Sequence, residues 1–168
     1  MLPVSDQPYN MLFLCTGNSA RSIMAEVMLN HLGQGRFKGY SAGSHPKGTV
    51  HPLALETMQR MGLPVDGLRS KSWEEFARPD APALDIIVTV CDDAAGEVCP
   101  IWPGTPMTAH WGVEDPAAFQ GTEDAQREKF REVALILRQR IECLLRLPLA
   151  TLDRMTMQSK LKEIGQGA

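Results

Sequence analysis

The chain has no apolar run near the roughly 18–20 residues that a membrane-spanning helix needs. Its first ten residues, MLPVSDQPYN, hold neither a basic n-region nor an apolar h-region, so no secretory signal is expected. Positive charge is scarce: a net charge of -3 argues against general nucleic-acid binding. Internal repeats and low-complexity tracts are absent. Among the four cysteines (Cys15, Cys91, Cys99 and Cys143) there is no Cys-x2-Cys pair, which disfavours a zinc site. What remains is an ordinary globular composition, 43% apolar and 22% charged, in a chain expected in the cytoplasm. A reducing compartment makes static disulfides unfavourable, so catalytic, redox or metal roles for the thiols have to be weighed. A length of 168 residues suits one domain over 1–168, with a C-terminal helical extension from about residue 149.

What is present alternates. Tyr9–Cys15 (YNMLFLC) is short, apolar and closes on turn residues, so it reads as a buried strand. SARSIMAEVMLNHLG reads as a helix with Ile23, Met24, Val27, Met28 and Leu32 on its apolar stripe and Gly33 as its stop. RFKGYSAG suggests a second strand, and HPLALETMQRMG a second helix with Pro52 in its first turn. LPVDGLRSKSWEEF reads as a surface loop or short helical turn. ALDIIVTVC is the clearest strand, and TPMTAHWG a fourth. A long helix follows Thr122 and ends before Pro148; a last amphipathic helix, with Thr151 as cap and Leu152, Met155, Leu161 and Ile164 as its stripe, closes the chain. Strands alternating with helices predict an α/β three-layer sandwich around a four-stranded parallel sheet. Ligands of such sheets bind at the carboxyl ends of the strands, where Cys15, Cys91 and the HWGVEDP stretch all fall.

The stretch from Cys15 to Arg21 is Cys-x5-Arg between a strand and a helix. A tight loop there turns backbone N–H groups inward as an anion nest, and the helix adds the positive end of its dipole. Gly17 and Asn18 tolerate unusual backbone angles. Thr16, Gly17, Asn18, Ser19, Ala20, Arg21 and Ser22 thus form the expected oxyanion-binding set, with Arg21 clamping two oxygens of a tetrahedral anion. Cys15 lies beneath the anion's central atom, and the same field favours its thiolate as nucleophile. Ser22 is placed to hydrogen-bond that thiolate, and Ser19 to brace the loop. Spacing alone occurs by chance, and a buried cysteine at a strand end is common; the strand, the TGNSARS filling and the helix together raise the signal.

CTGNSARSIMAE resembles the anion loop of the low-molecular-weight phosphotyrosine phosphatase fold, and more closely that of the arsenate reductases built on it. VTVCDDAAGEVCPIWPG and HWGVEDPA match the reductase branch, and the likeness runs from about Met11 to about Leu147. The resemblance implies a cytoplasmic enzyme of arsenical resistance that reduces arsenate to arsenite. It makes Cys15 the nucleophile that forms an arseno-thiol adduct, and Asp115 the general acid; without the rest of the pattern, Asp115 would read as a turn or capping residue before Pro116. Cys91 is then the second thiol and Cys99 the third. A Cys15–Cys91 disulfide passes to Cys91–Cys99, which a thioredoxin-type partner reduces. Small residues and Gly96 in DDAAGEV suit a segment that refolds during this relay.

The departures from the family are informative. Ala20 stands where some reductases carry a further cysteine outside the relay. No tightly bound cofactor is expected. The resemblance carries the option of a potassium ion: Asn18, Glu26 and Ser41 match part of the site that certain relatives use, and Ser70 and Ser72 in RSKSW do not clearly supply the rest. A phosphatase acting on phosphotyrosine or small phosphoesters would share Cys15, Arg21 and Asp115. It commonly places an aromatic residue after the Asp-Pro pair, where this chain has Ala117 and Ala118, and a proline after Arg-Ser, where it has Ile23. Two further functions are compatible with the loop: a thiol-based anion sensor, and a reductase recycled by glutathione, glutaredoxin or mycothiol. His110, Cys143, Trp102, Trp111 and the methionines read first as structural or core residues.

Overall fold

The computed structural model describes residues 7–91 and 104–166. Cys99, Gly96 and Trp102, singled out in the sequence, lie outside the described residues. Four strands, β1 (Tyr9–Cys15), β2 (Phe37–Gly43), β3 (Ile86–Thr89) and β4 (Met107–His110), form one parallel sheet in the order β2-β1-β3-β4. The helices are α1 (Arg21–Leu32), α2 (Pro52–Arg60), α3 (Glu74–Ala77), α4 (Glu123–Leu145) and α5 (Arg154–Gln166), with a 3-10 turn at Pro116–Ala118. The predicted α/β sandwich is the observed architecture.

Strand alternation builds two cores. Met11, Phe13 and Cys15 of β1 face the larger one, filled by α1 and α4 through Met24, Met28, Phe130, Val133 and Leu137. Leu12 and Leu14 face the other way, onto Ile87, Trp73 and Phe76. The segment that the sequence offers as a surface loop or short helical turn holds the short α3 and is a cover rather than a surface feature: Trp73 and Phe76 are buried because the second face of the sheet has no long helix to shield it.

The last helix also departs from expectation. Asp153, not Thr151, caps α5 by accepting from the Thr156 N–H at 2.7 Å, while the Thr151 hydroxyl turns back to the Pro148 carbonyl. Met155 is exposed and Met157 points inward in its place, while Leu161 is buried as the stripe predicts. Trp111, fully buried, donates its indole N–H to the Leu161 carbonyl at 2.9 Å, and Gly165 gives the helix room to pass His110 and Trp111. Cys143 is half-buried beside α5 rather than in the core. Among the described residues no helix is long and apolar enough to cross a membrane.

Neighbouring strands β2 and β3 leave β1 on opposite sides, so the switch point of the sheet lies between the carboxyl ends of β1 and β3. Cys15 closes β1 there. The Val90 N–H donates to the Leu14 carbonyl at 2.8 Å, which brings Cys91 to the same rim.

Candidate active site

The loop from Cys15 to Arg21 owes its shape to bonds on its outer side. The carbonyls of Thr16, Gly17 and Ser19 accept from the N–H groups of His45, Lys47 and His51 at 2.9, 2.9 and 2.8 Å. The Ser70 hydroxyl also donates to the Gly17 carbonyl, at 3.2 Å. In a trans peptide the carbonyl and the following N–H point in opposite directions, so carbonyls drawn outward turn the N–H groups of Gly17, Asn18 and Ala20 inward. The Asn18 N–H indeed reaches Cys15 Sγ at 3.2 Å. Asn18 adopts the left-handed region, φ 44°, which asparagine tolerates better than most residues. Gly43 is required for the approach of β2: a Cβ there would stand 2.5 Å from the Thr16 carbonyl oxygen and 3.0 Å from the Asn18 nitrogen. Helix α1 begins at Arg21 with Ala20 at its cap position and no side-chain cap, which leaves its N-terminal dipole directed into the loop.

Cys15 is 3% exposed and Ser22 fully buried. Ser22 Oγ lies 2.9 Å from Cys15 Sγ and 2.8 Å from Asn18 Nδ2. Because the Asn18 amide nitrogen can only donate, the serine hydroxyl is free to send its own proton to the sulfur. Asn18 is oriented in turn by the Lys71 N–H, which donates to Asn18 Oδ1 at 2.8 Å.

The rim opposite the loop comes from the segment after β4. The N–H groups of Trp111 and Val113 bond to the carbonyls of Thr89 and Val90, which lays Trp111–Asp115 across the end of β3. Arg21 Nη1 donates to the Val113 carbonyl at 3.1 Å, and Nη2 stands 3.8 Å from Asp115 Oδ2. Asp115 also caps the 3-10 turn, its Oδ1 accepting from the Ala117 N–H at 2.9 Å. The carboxylate thus combines a turn-capping duty at Oδ1 with an Oδ2 edge turned toward the Arg21 guanidinium. Its neighbour Glu114 is engaged by Lys129 Nζ at 2.8 Å. Cys91 is buried, with its Sγ 3.6 Å from Thr16 Oγ1. One rim therefore gathers Cys15, Thr16–Ser22, Cys91 and Asp115.

Three residues that sequence reasoning passed over also bear on the site. His51 caps α2 through Nδ1, which accepts from the Leu53 N–H at 3.1 Å, and stacks near Phe130 with 4.8 Å between ring centroids. Burial, then the Lys47 charge, push the His51 imidazole below the usual histidine range, while Asp115 pulls the other way. Gly43 and Lys71 are the others; they come from separate segments, and no local pattern marks them. His110, read as structural, pairs its Nδ1 with Thr89 Oγ1 at 2.7 Å. Among the described residues no group of three or more His, Cys, Asp or Glu side chains could hold a metal ion.

An inward ring of N–H groups, a guanidinium and a buried thiol with two hydrogen-bond donors can bind a tetrahedral oxyanion and attack its centre. A facing carboxyl group is placed to manage a proton.

Comparison with known proteins fits this arrangement. The family model for low molecular weight phosphotyrosine protein phosphatase matches residues 10–158. The chain is 38% identical over 121 residues to an arsenate reductase of Bacillus subtilis, a match covering 72% of this chain and 84% of that protein. An arsenate reductase from Bacillus licheniformis is 37% identical over 132 residues, covering 77% and 90%. Among solved structures, an arsenate reductase in the phosphate binding state superposes with a TM-score of 0.65 and 30% identity, covering 82% of this chain and 96% of that one. A low molecular weight protein tyrosine phosphatase from T. tengcongensis shares the fold, with a TM-score of 0.65 at 22% identity over 80% and 95% of the two chains.

Proposed function

The chain belongs to the low-molecular-weight phosphotyrosine protein phosphatase family, and from that premise we propose that it is an arsenate reductase recycled by an internal thiol relay and thioredoxin. The observation that carries this reading is the second buried thiol, Cys91, at the rim of the loop that holds Cys15. Hydrolysis of a phosphoester has no use for a second thiol, whereas reduction needs one from the chain or from outside it, and Cys91 offers one from within.

In this reading arsenate enters the loop, and Arg21 with the inward N–H groups holds its oxygens. The Cys15 thiolate attacks arsenic, and one oxygen leaves as water after taking a proton from Asp115. The product is a Cys15–arsenic(V) adduct. Attack by water on this adduct would only return arsenate. Attack by the Cys91 thiolate on the Cys15 sulfur breaks the sulfur–arsenic bond instead. The electron pair of that bond stays with arsenic, which leaves as arsenite, and a Cys15–Cys91 disulfide remains. Cys99 then attacks Cys91, freeing Cys15 as a thiolate. Thioredoxin reduces the Cys91–Cys99 disulfide by the same exchange. The sum is arsenate plus two thiols giving arsenite, water and one disulfide. Recycling by thioredoxin suits a reducing cytoplasm.

The alanines at positions 117 and 118 support the same choice, since neither offers an aryl phosphate a ring to stack on. The test sets two substrates side by side: arsenate-dependent NADPH oxidation with thioredoxin and thioredoxin reductase, and hydrolysis of p-nitrophenyl phosphate. Sustained NADPH oxidation with weak hydrolysis is expected. Fast hydrolysis without arsenate turnover would make the protein a phosphatase.

A further inference from the structure

Lys71 carries an ammonium group behind the anion loop. Its side chain is only 9% exposed. Nζ lies 2.9 Å from the Arg69 carbonyl, 3.5 Å from Ser41 Oγ and 3.8 Å from Glu26 Oε1. The Ser41 hydroxyl donates its proton to Glu26 Oε1 at 2.7 Å, so its oxygen presents lone pairs to the ammonium. Glu26 comes from α1, Ser41 from β2 and Lys71 from the cover of the second sheet face. Three elements thus close on one buried ion pair.

The same residue holds the catalytic loop. Its backbone N–H fixes Asn18 Oδ1, Asn18 Nδ2 fixes Ser22 Oγ, and Ser22 reaches Cys15. Burial pushes the Lys71 ammonium down and the Glu26 carboxyl up; each opposes the shift in the other, and the facing groups on Lys71 are Glu26, Arg69, Glu75 and Cys15.

The oxygens that the sequence marks for a potassium ion are therefore already engaged. Glu26 Oε1 and Ser41 Oγ face the ammonium, and Asn18 Oδ1 accepts from the Lys71 N–H. The residues present do not fit a potassium ion. We propose that the Lys71 ammonium is the resident cation of this site: a positioning group, tethered to the chain, that neutralises Glu26 and adds positive charge behind the Cys15 thiolate, while the backbone N–H of the same residue orients Asn18 toward Ser22, so that the protein works without potassium. This deepens the reading of Cys15 as nucleophile, and its test reads the thiol directly, so that a failure to reduce arsenate and a failure of this inference are distinguishable.

The experiment measures the pH profile of Cys15 alkylation by iodoacetamide, quantified on the Cys15 peptide by mass spectrometry, together with thermal melting. The native protein is compared in potassium chloride and in tetramethylammonium chloride at equal concentration. No difference in profile or melting temperature is expected. Lys71→Ala opens the space and removes the charge. Its alkylation at neutral pH is expected to fall about tenfold, the equivalent of a one-unit move of the profile to higher pH, and potassium or ammonium ion is expected to move it back. If the alanine variant does not fold, Lys71→Met keeps the stem and is expected to show the same move. A profile that stays in place, a move in Lys71→Ala that neither cation reverses, or a native protein that melts higher in potassium would each overturn the inference.

Discussion

Ser22 Oγ sits 2.9 Å from the Cys15 sulfur and accepts from the Asn18 amide at 2.8 Å, which leaves its hydroxyl proton for a Cys15 thiolate that can only accept. The direction of that bond is a property of three residues that the loop brings together. It stabilises negative charge on sulfur, which both attack and departure of the thiolate require. Removing one hydrogen bond to a charged partner costs about 1.5–3 kcal/mol, or roughly 10- to 100-fold in rate. Ser22→Ala is expected to slow arsenate-dependent turnover and Cys15 alkylation by a common factor in that range, measured by coupled NADPH oxidation and by peptide mass spectrometry.

In the proposed mechanism Arg21 binds the anion and Asp115 transfers the proton. Arg21→Lys keeps a positive charge and loses the planar fork. Its affinity for inorganic phosphate, a non-reducible stand-in for arsenate, is expected to drop roughly 10- to 100-fold by titration calorimetry. Asp115→Asn keeps the turn cap, since an amide oxygen can still accept from the Ala117 N–H. It is expected to bind phosphate nearly as well as the native chain and to lose about 10²- to 10⁴-fold in the first turnover.

Much of this loop is legible in the sequence, and the reason is physical. A strand end, a nest and a helix N-terminus are contiguous, so seven neighbouring residues hold the groups proposed to bind the oxyanion. The parallel sheet then fixes where Cys91 and Asp115 emerge. The residues that shape the loop from outside are not legible in the same way. His45, Lys47, His51 and Ser70 hold its carbonyls from 29 to 53 positions away in the chain, by bonds that no periodicity encodes. Trp73 and Phe76 fall in a stretch that reads as a surface loop or short helical turn, because a four-residue helix has no pattern that marks its buried face. Asp153 displaces Thr151 as cap because the chain turns once more after Pro148 before it enters α5.

Gly43 tests the outer scaffold. Gly43→Ala pushes a methyl group against the Thr16 carbonyl and Asn18. Overpacking of this kind costs about 1–3 kcal/mol. The variant is expected to melt lower, and phosphate is expected to lose its ability to protect Cys15 from iodoacetamide. A variant that melts lower while phosphate still protects would show that the loop tolerates the shift.

His51 predicts a pH dependence of stability. Its capping role needs an unprotonated Nδ1, and burial, followed by Lys47, holds the folded-state value below 6.5, against the opposing pull of Asp115. Between the folded value and 6.5 the unfolded chain binds more protons than the native one, so stability falls as pH drops through that window and the loss is complete below it. His51→Asn caps the helix without titrating. Its melting temperature is expected to vary less than that of the native chain as pH is lowered from 6.5, by scanning calorimetry at matched ionic strength.

A second thiol, and not water, resolves the adduct on Cys15 in the mechanism proposed for this chain. The direct measurement is a single turnover of Cys99→Ser with one equivalent of arsenate, followed by acid quench and peptide mapping under non-reducing conditions. The relay predicts one equivalent of arsenite and a Cys15–Cys91 disulfide, with no further turnover on adding thioredoxin and its reductase. Arsenite released continuously in the presence of an external thiol, with Cys91 recovered as a thiol throughout, would contradict it.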